Sequence, residues 1–125
     1  MSNEQLINLP TIEYYPTIHE LQTTNATPAA ICTEALLPNQ VYIVKWNVKA
    51  RAGNNDRAGY FGQSVVYTSA SSGDVEGSAI NQYESQPLWD AAISVVGLNL
   101  VITVTGQAAT IIDWLAEITI IGLDE

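Results

Sequence analysis

The sequence predicts a single all-β domain, an antiparallel β-sandwich of jelly-roll type with an extended N-terminal arm. Its 125 residues leave room for one domain. Its 47% hydrophobic content is enough for a core without disulfides or metal. Several short segments alternate apolar and polar residues between turn signals, and none has sustained helical spacing. We expect the arm over residues 1–30 and the sandwich over residues 31–125.

The expected arm is rich in proline and in large apolar side chains. It holds three of the five prolines. Proline lacks a backbone donor and biases the preceding residue toward extended geometry, so an arm is favoured over a helix or a central strand. We predict that the arm orders on a large partner, where apolar burial offsets the loss of backbone entropy. The expected contacts are Leu9, Ile12, Tyr14, Tyr15 and Ile18, with the two tyrosines as the strongest anchors.

The strand signal is clearest in the segment Val41–Arg51. Its even positions are all apolar, and its later odd positions are basic or polar, as expected for a half-buried strand. The last strand shows the same alternation, again with apolar even positions. The other predicted strands are weaker or shorter. All predicted strands outside the hairpin described next span residues 31–37, 41–51, 59–68, 75–83 and 110–121.

Residues 91–105 predict a β-hairpin with a defined register. Placing Gly97 and Leu98 at the corner of a two-residue turn lets glycine supply the positive φ that such turns need. One face of the hairpin is then wholly apolar, and a slip by one residue would destroy that division. The predicted pairs are Val96 with Asn99, Val95 with Leu100, Ser94 with Val101, Ile93 with Ile102, Ala92 with Thr103 and Ala91 with Val104.

Composition excludes several classes of function. A formal net charge of −9 repels a phosphate backbone, so nucleic acid is not an expected partner. Cys32 and His19 are the sole cysteine and histidine, which excludes an internal disulfide, a cysteine-only zinc site and an imidazole-rich metal site. No stretch approaches the ~18 apolar residues of a membrane span. We expect no metal, no cofactor and no membrane association.

The sequence also predicts no catalytic residues. A nucleophile needs an adjacent base, and His19 lies in the proline-broken arm, a poor platform for precise geometry. A pair with Cys32 is conceivable, but Cys32 is more simply interpreted as a small buried hydrophobe. Glu84 and Asp90 flank a predicted loop as a glycosidase pair would, yet no feature desolvates one acid and not the other. We therefore expect a protein that is not an enzyme.

Charge is unevenly distributed along the chain. All four basic residues lie between positions 45 and 57, and the charged residues among 58–125 are all acidic. The favoured interpretation is cross-strand pairing of basic and acidic residues within one sheet. The alternative is a basic edge that meets an acidic edge of a neighbouring subunit. That alternative places five residues at a subunit interface, namely Lys45, Lys49, Arg51, Asp113 and Glu117.

The three tryptophans have different expected roles. Trp46 and Trp114 occupy apolar strand faces and should fill the core. Trp89 precedes the hairpin and should close one end of the sandwich, since tryptophans are usually highly buried. The alternative for Trp89 is an aromatic platform for sugars, together with Tyr83.

Five segments carry a resemblance to a known kind of module. They are residues 48–51, 58–60, 89–95, 98–106 and 112–116. Together they resemble a β-sandwich module in structural proteins of tailed bacteriophages, found in head decoration proteins and in tail or fibre components. The resemblance extends over rather more than half of the chain, and the first 30 residues have no part in it.

This resemblance implies a non-enzymatic and frequently trimeric protein. With the apolar arm, it favours a capsid decoration, or cement, protein that is made in the host cytoplasm, binds the major capsid protein and resides on the capsid surface of the virion. The alternative is a tail or fibre-tip adhesin that binds a host surface glycan. A free-standing carbohydrate-binding domain is a third, weaker interpretation.

Overall fold

The computed structural model describes residues 11–13 and 16–124, and side chains for residues 16–123. Within these residues the secondary structure consists of nine β-strands, with no helix. None of them belongs to a helix that could span a membrane. The strands are β1 (Thr11–Glu13), β2 (Thr17–Thr23), β3 (Ala29–Ala35), β4 (Gln40–Ala52), β5 (Arg57–Thr68), β6 (Gly73–Glu84), β7 (Asp90–Val96), β8 (Asn99–Thr105) and β9 (Ile112–Asp124).

The strands form two antiparallel sheets that pack as a sandwich. Sheet A has the order β9-β4-β5-β6, and β1 and β2 both pair along the other side of β9. Sheet B has the order β3-β8-β7. The edge strands β2 and β3 lie next to each other at one side of the sandwich, and β6 and β7 at the other. The predicted fold class, an antiparallel β-sandwich, is confirmed.

The core lies between the sheets and follows the predicted alternation. The even-numbered residues of β4, and those of β9 up to Gly122, are buried because successive side chains of a strand point to opposite faces. Those of β8 face them from sheet B. The central side chains of this core are Tyr42, Val44, Trp46, Val48, Leu100, Ile102, Val104, Ile112, Trp114, Ile118 and Ile120.

The hairpin formed by β7 and β8 has the predicted register. All six predicted pairs, from Val96 with Asn99 to Ala91 with Val104, are the observed partners. Gly97 has a φ of 61° and Leu98 a negative φ, which is the pattern of a two-residue type II′ turn. Local turn chemistry and one apolar face were therefore sufficient to specify this hairpin.

The structure corrects the predicted boundary near residue 30. Residues 17–23 are an edge strand of sheet A, paired with Ile112–Ile118 of β9, and do not form part of an arm outside the domain. Proline does exclude a central strand here, but Pro16 and Pro28 flank β2 instead of interrupting it. Leu9, Tyr14 and Tyr15, which we predicted as partner contacts, lie outside the described residues.

Two tryptophans close the end of the sandwich that lies next to Thr23, the last residue of β2. The rings of Trp89 and Trp114 pack at a centroid distance of 6.0 Å. Trp114 Nε1 donates to Thr23 Oγ1 at 2.9 Å, and Trp89 Nε1 donates to Gln107 Oε1 at 3.1 Å. Trp89 is only 1% exposed, so it closes the sandwich as expected, and the alternative of a sugar platform at Trp89 is wrong.

Candidate interaction surface

The outer face of sheet A extends over five strands, and no element among the described residues packs on it. It consists of the side chains of β2, β9, β4, β5 and β6 that point away from sheet B, which in β4 and β9 are the odd-numbered residues. One end of this face is apolar and the other is charged.

The apolar end is a contiguous cluster, which we call the apolar patch. Val41 lies between Tyr67 on β5 and Leu123 on β9, and Ile43 lies between Val65 and Ile121 in the same way. Five of these six side chains are 39 to 50% exposed. Single exposed apolar residues are ordinary, but a contiguous group over three strands is typical of a binding surface. The patch is Val41, Ile43, Val65, Tyr67, Ile121 and Leu123.

The charged end brings together the five residues predicted for a subunit interface. Lys45, Lys49 and Arg51 of β4 and the two acids of β9 all lie on the outer face, as the sequence indicated. Arg51 is the register partner of Asp113, and Asn47 that of Glu117. An open groove of about 730 Å³ runs over this end, bordered by Gln22, Lys49, Arg51, Asp113 and Leu115.

The acids of this end bind amides and not the neighbouring basic groups. Gln22 Nε2 donates to Asp113 Oδ1 at 2.9 Å, and Asn47 Nδ2 donates to Glu117 Oε1 at 3.0 Å. The three basic side chains form no ion pair within 4.0 Å with any residue that the structure describes. The structure therefore juxtaposes basic and acidic residues within one sheet without pairing them, and a contact with a second subunit stays a prediction.

Two predicted arm contacts fall within the described strands. Ile18 of β2 lies on the outer face and is 65% exposed, so it remains available to a partner. Ile12 belongs to β1, which pairs with Ile121–Leu123 of β9. Both residues are thus held by β9 of their own domain.

At the seam between the sheets, the structure brings together three residues, of which the sequence had suggested a pair of His19 and Cys32 but not the addition of Glu34. His19 of β2 faces Cys32 and Glu34 of β3, with one ligand atom from each within 4.8 Å of the others. His19 Nε2 lies 3.6 Å from Glu34 Oε1 and 2.9 Å from Thr17 Oγ1. Burial, and secondarily the charge of Glu34, raises the pKa of the Cys32 thiol to about 11.

Of the two acids considered from the sequence as a glycosidase pair, Glu84 has a structural partner. The Tyr60 hydroxyl donates to Glu84 Oε2 at 2.5 Å. Burial, then that bond and the charges of Glu84 and Asp90, raises the pKa of Tyr60 far above its ordinary value. Asp56 accepts hydrogen bonds from Ser85 and Gln86, which ties the β4–β5 loop to the β6–β7 loop. The Asp56 contacts thus fix two loops, and the Glu84 contact joins β5 to β6.

Comparison with known proteins gives little beyond this geometry. No family model matches the chain, and no curated protein matches it. A solved structure similar to it is a tailspike protein gp49 from Acinetobacter baumannii bacteriophage Fri1, a capsular polysaccharide depolymerase. The sequence identity is 12% and the TM-score 0.39, over 94% of this chain and 21% of that chain. This chain thus spans about a fifth of the tailspike's length, and a likeness of this degree carries no argument about function.

Proposed function

We propose that this chain is a non-enzymatic structural protein of a bacteriophage virion, a capsid decoration protein that binds the major capsid protein through the outer face of sheet A. The apolar patch is the observation that carries the proposal. Six apolar side chains on three neighbouring strands form a contiguous surface, which suits another protein better than a small ligand. The virion setting comes from the resemblance of residues 48–116 to phage structural modules.

The proposal moves the binding function from the arm to the sheet. Residues 17–23 pair with β9, so they cannot lie across a neighbouring capsid subunit as a loose arm while the domain stays intact. Ile18 contributes to the outer face and keeps its predicted role. Leu9, Tyr14 and Tyr15 stay predicted contacts, to be tested apart from the sheet.

Cosedimentation with expanded, undecorated capsid shells tests the proposal. Ile43→Glu places a charge in the middle of the apolar patch, and Ile80→Glu places the same charge on β6 outside the patch. The two isoleucines are matched, at 40 and 43% exposed. We expect Ile43→Glu to weaken shell binding at least about tenfold, because the interface would bury its carboxylate without a partner, at a cost in binding free energy. We expect Ile80→Glu to bind like the unaltered chain.

Equal binding by both variants would remove the patch from the interface. Absence of binding by the unaltered chain would reject the capsid partner itself.

We further propose a homotrimer in which the charged end of the outer face contacts an adjacent subunit. The basic side chains of β4 lack acidic partners within their own described subunit, which leaves them available. Lys49→Glu and Glu117→Lys should each weaken assembly, and the double variant should restore it. Mass measurement in solution tests this. If the mass in solution is unchanged in both single variants, the intersubunit contact is rejected, and the interpretation of basic and acidic residues that face each other within one sheet remains.

The alternative, a glycan-binding tail or fibre-tip adhesin, is favoured by two exposed aromatics. Phe61 and Tyr83 lie on the outer face of neighbouring strands and are 57 and 59% exposed. Aromatic rings that project in this way can stack on sugar rings. Binding to host surface polysaccharide that is lost in Tyr83→Ala, with no binding to shells, would favour the adhesin over the decoration protein.

A further inference from the structure

The seam between the two sheets carries a cluster whose chemistry the binding surface does not use. His19 projects inward from edge strand β2 of sheet A, and Cys32 and Glu34 project inward from edge strand β3 of sheet B. Their imidazole nitrogen, thiol sulfur and carboxylate oxygen all lie within 4.8 Å of one another. They belong to strands in different sheets and converge on one point.

A local irregularity of β3 sets this convergence. The register of β3 against β8 shifts between Ala30 and Cys32, so Ile31 is an extra residue, a β-bulge. Beyond the bulge, Cys32 is paired with Ile102 and Glu34 with Leu100, whose side chains are buried between the sheets. Bulges commonly re-aim side chains next to functional sites. Here the bulge turns both potential ligands toward His19.

We propose that His19, Cys32 and Glu34 bind a zinc ion that clasps sheet A to sheet B. Zinc takes nitrogen, sulfur and oxygen ligands at about 2.0 to 2.3 Å in tetrahedral geometry. In such a site a nitrogen and an oxygen ligand lie about 3.3 to 3.5 Å apart, and the 3.6 Å between His19 Nε2 and Glu34 Oε1 is close to this range. Calcium and magnesium prefer oxygen ligands alone, so the thiol and imidazole select against them.

The three ligands differ in how much they must move. Cys32 is buried and fixed by its neighbours, while the side chains of His19 and Glu34 are 27 and 25% exposed and have room to adjust. His19 Nε2 must give up its hydrogen bond with the Thr17 hydroxyl to bind the ion. Three protein ligands leave the fourth position to water. Binding releases one proton, since the Cys32 thiol becomes a thiolate that forms the bond to zinc.

The test is a titration of the purified full chain with Zn²⁺ and with Co²⁺. We expect one metal per chain, with a sulfur-to-cobalt charge-transfer band in the near ultraviolet. Because the chain has one cysteine, the band can be assigned to Cys32 without ambiguity. At about a hundredfold excess of Zn²⁺ over Kd, the melting midpoint should rise by roughly 10 °C, since the ion binds only the folded chain.

Variants identify the ligands. We expect Cys32→Ser, His19→Gln and Glu34→Gln each to lower zinc affinity at least about tenfold, because changes even beyond the ligands cost 10 to 100-fold. Glu20→Gln is the matched control, since Glu20 neighbours His19 on β2 but projects from the opposite, exposed face. It should bind like the unaltered chain. If Cys32→Ser fails to fold, the zinc affinities of His19→Gln and Glu34→Gln test the proposal, because both residues are partly exposed.

Two results would overturn the proposal. One is the absence of a sulfur-to-cobalt band in the unaltered chain, which would leave a simple pair of His19 and Glu34. The other is equally tight zinc binding by His19→Gln and Glu34→Gln, which would place the metal elsewhere. Neither outcome bears on shell binding, because the cluster faces inward at the seam and the apolar patch lies on the outer face of sheet A.

Discussion

The two edges of sheet A differ in how the rest of the domain uses them. On the β2 edge, Leu21 packs against the core, and Thr23 is buried and accepts the hydrogen bond of Trp114. On the β6 edge, residues 76–83 are exposed on both faces, including Ser78 and Ile80 on the side that faces sheet B. Both edges are paired with a neighbouring strand. The β6 edge, however, joins the core only near its start, where Val75 packs against it.

The difference comes from the width of sheet B. Its three strands face the middle of sheet A and the β2 edge, and near β6 they reach only the first residues, where Gly73 approaches Val95. A Cβ on Gly73 would lie 2.8 Å from the Tyr67 carbonyl oxygen, so this contact requires glycine. What an edge strand contributes to stability therefore depends on whether another sheet covers it, and less on its own ladder of hydrogen bonds.

The uncovered edge has features that discourage unwanted pairing. The register of β6 against β5 shifts next to Val65, which leaves Glu76 as an extra, charged and exposed residue. Bulges and charges on edge strands hinder addition of a further strand. The β2 edge lacks such a bulge, and there β1 and β2 together line most of β9.

Removal of residues 1–24 should have the largest effect on stability. It deletes β2, the packing of Leu21 and the Thr23 hydroxyl that Trp114 needs. We expect a loss of about 3 to 8 kcal/mol in the free energy of unfolding, from a lost apolar side chain and an unsatisfied buried donor. Denaturant unfolding with a chelator present would measure this without any contribution from metal. An unchanged midpoint would restore the boundary near residue 30.

Trp114→Ala should follow, at about 3 to 5 kcal/mol, the range for truncation of a large buried aromatic residue. The indole contacts Trp89 and closes the end of the sandwich next to β2. Phe61→Ala is the control, because that ring is mostly exposed on the outer face and should cost under about 1 kcal/mol. Similar losses in both variants would mean that burial does not distinguish the two positions.

Thr23→Val should cost about 1 to 3 kcal/mol, since it keeps the shape of the side chain and leaves the Trp114 indole N–H without its acceptor. Thr33→Val on β3, where the side chain is exposed, should lie within about 0.5 kcal/mol of the unaltered chain. Thermal unfolding of the pair isolates this hydrogen bond. Equal midpoints would show that water satisfies the indole.

Ile80→Ala on the uncovered edge should have the smallest effect, below about 1 kcal/mol, because both faces of β6 are in solvent there. Ile118→Ala removes the same atoms from a buried position of β9 and should cost about 2 to 5 kcal/mol. A loss at Ile80 that approaches the loss at Ile118 would show that something covers β6 in solution, such as a second subunit.

The sequence determined the local part of this fold. Regular alternation specified β4 and β9 and the buried faces of both, and Gly97 with one apolar face specified the hairpin register. The five charged residues predicted for an interface do share one face, because odd-numbered and even-numbered residues of a strand point to opposite faces, which the local sequence shows. In contrast, β2 was missed, since an edge strand with an exposed isoleucine and flanking prolines has only a weak period of two.

Only the tertiary structure decided which strands meet. Val41, Val65 and Leu123 are far apart in the chain, and their union into the apolar patch depends on the order β9-β4-β5. His19 and Cys32 are thirteen residues apart but belong to different sheets, and a bulge that alternation does not predict turns Cys32 inward. Periodicity reports which face of a strand is buried. The partner on that face is chosen by packing of the whole chain, which depends on contacts distant in sequence.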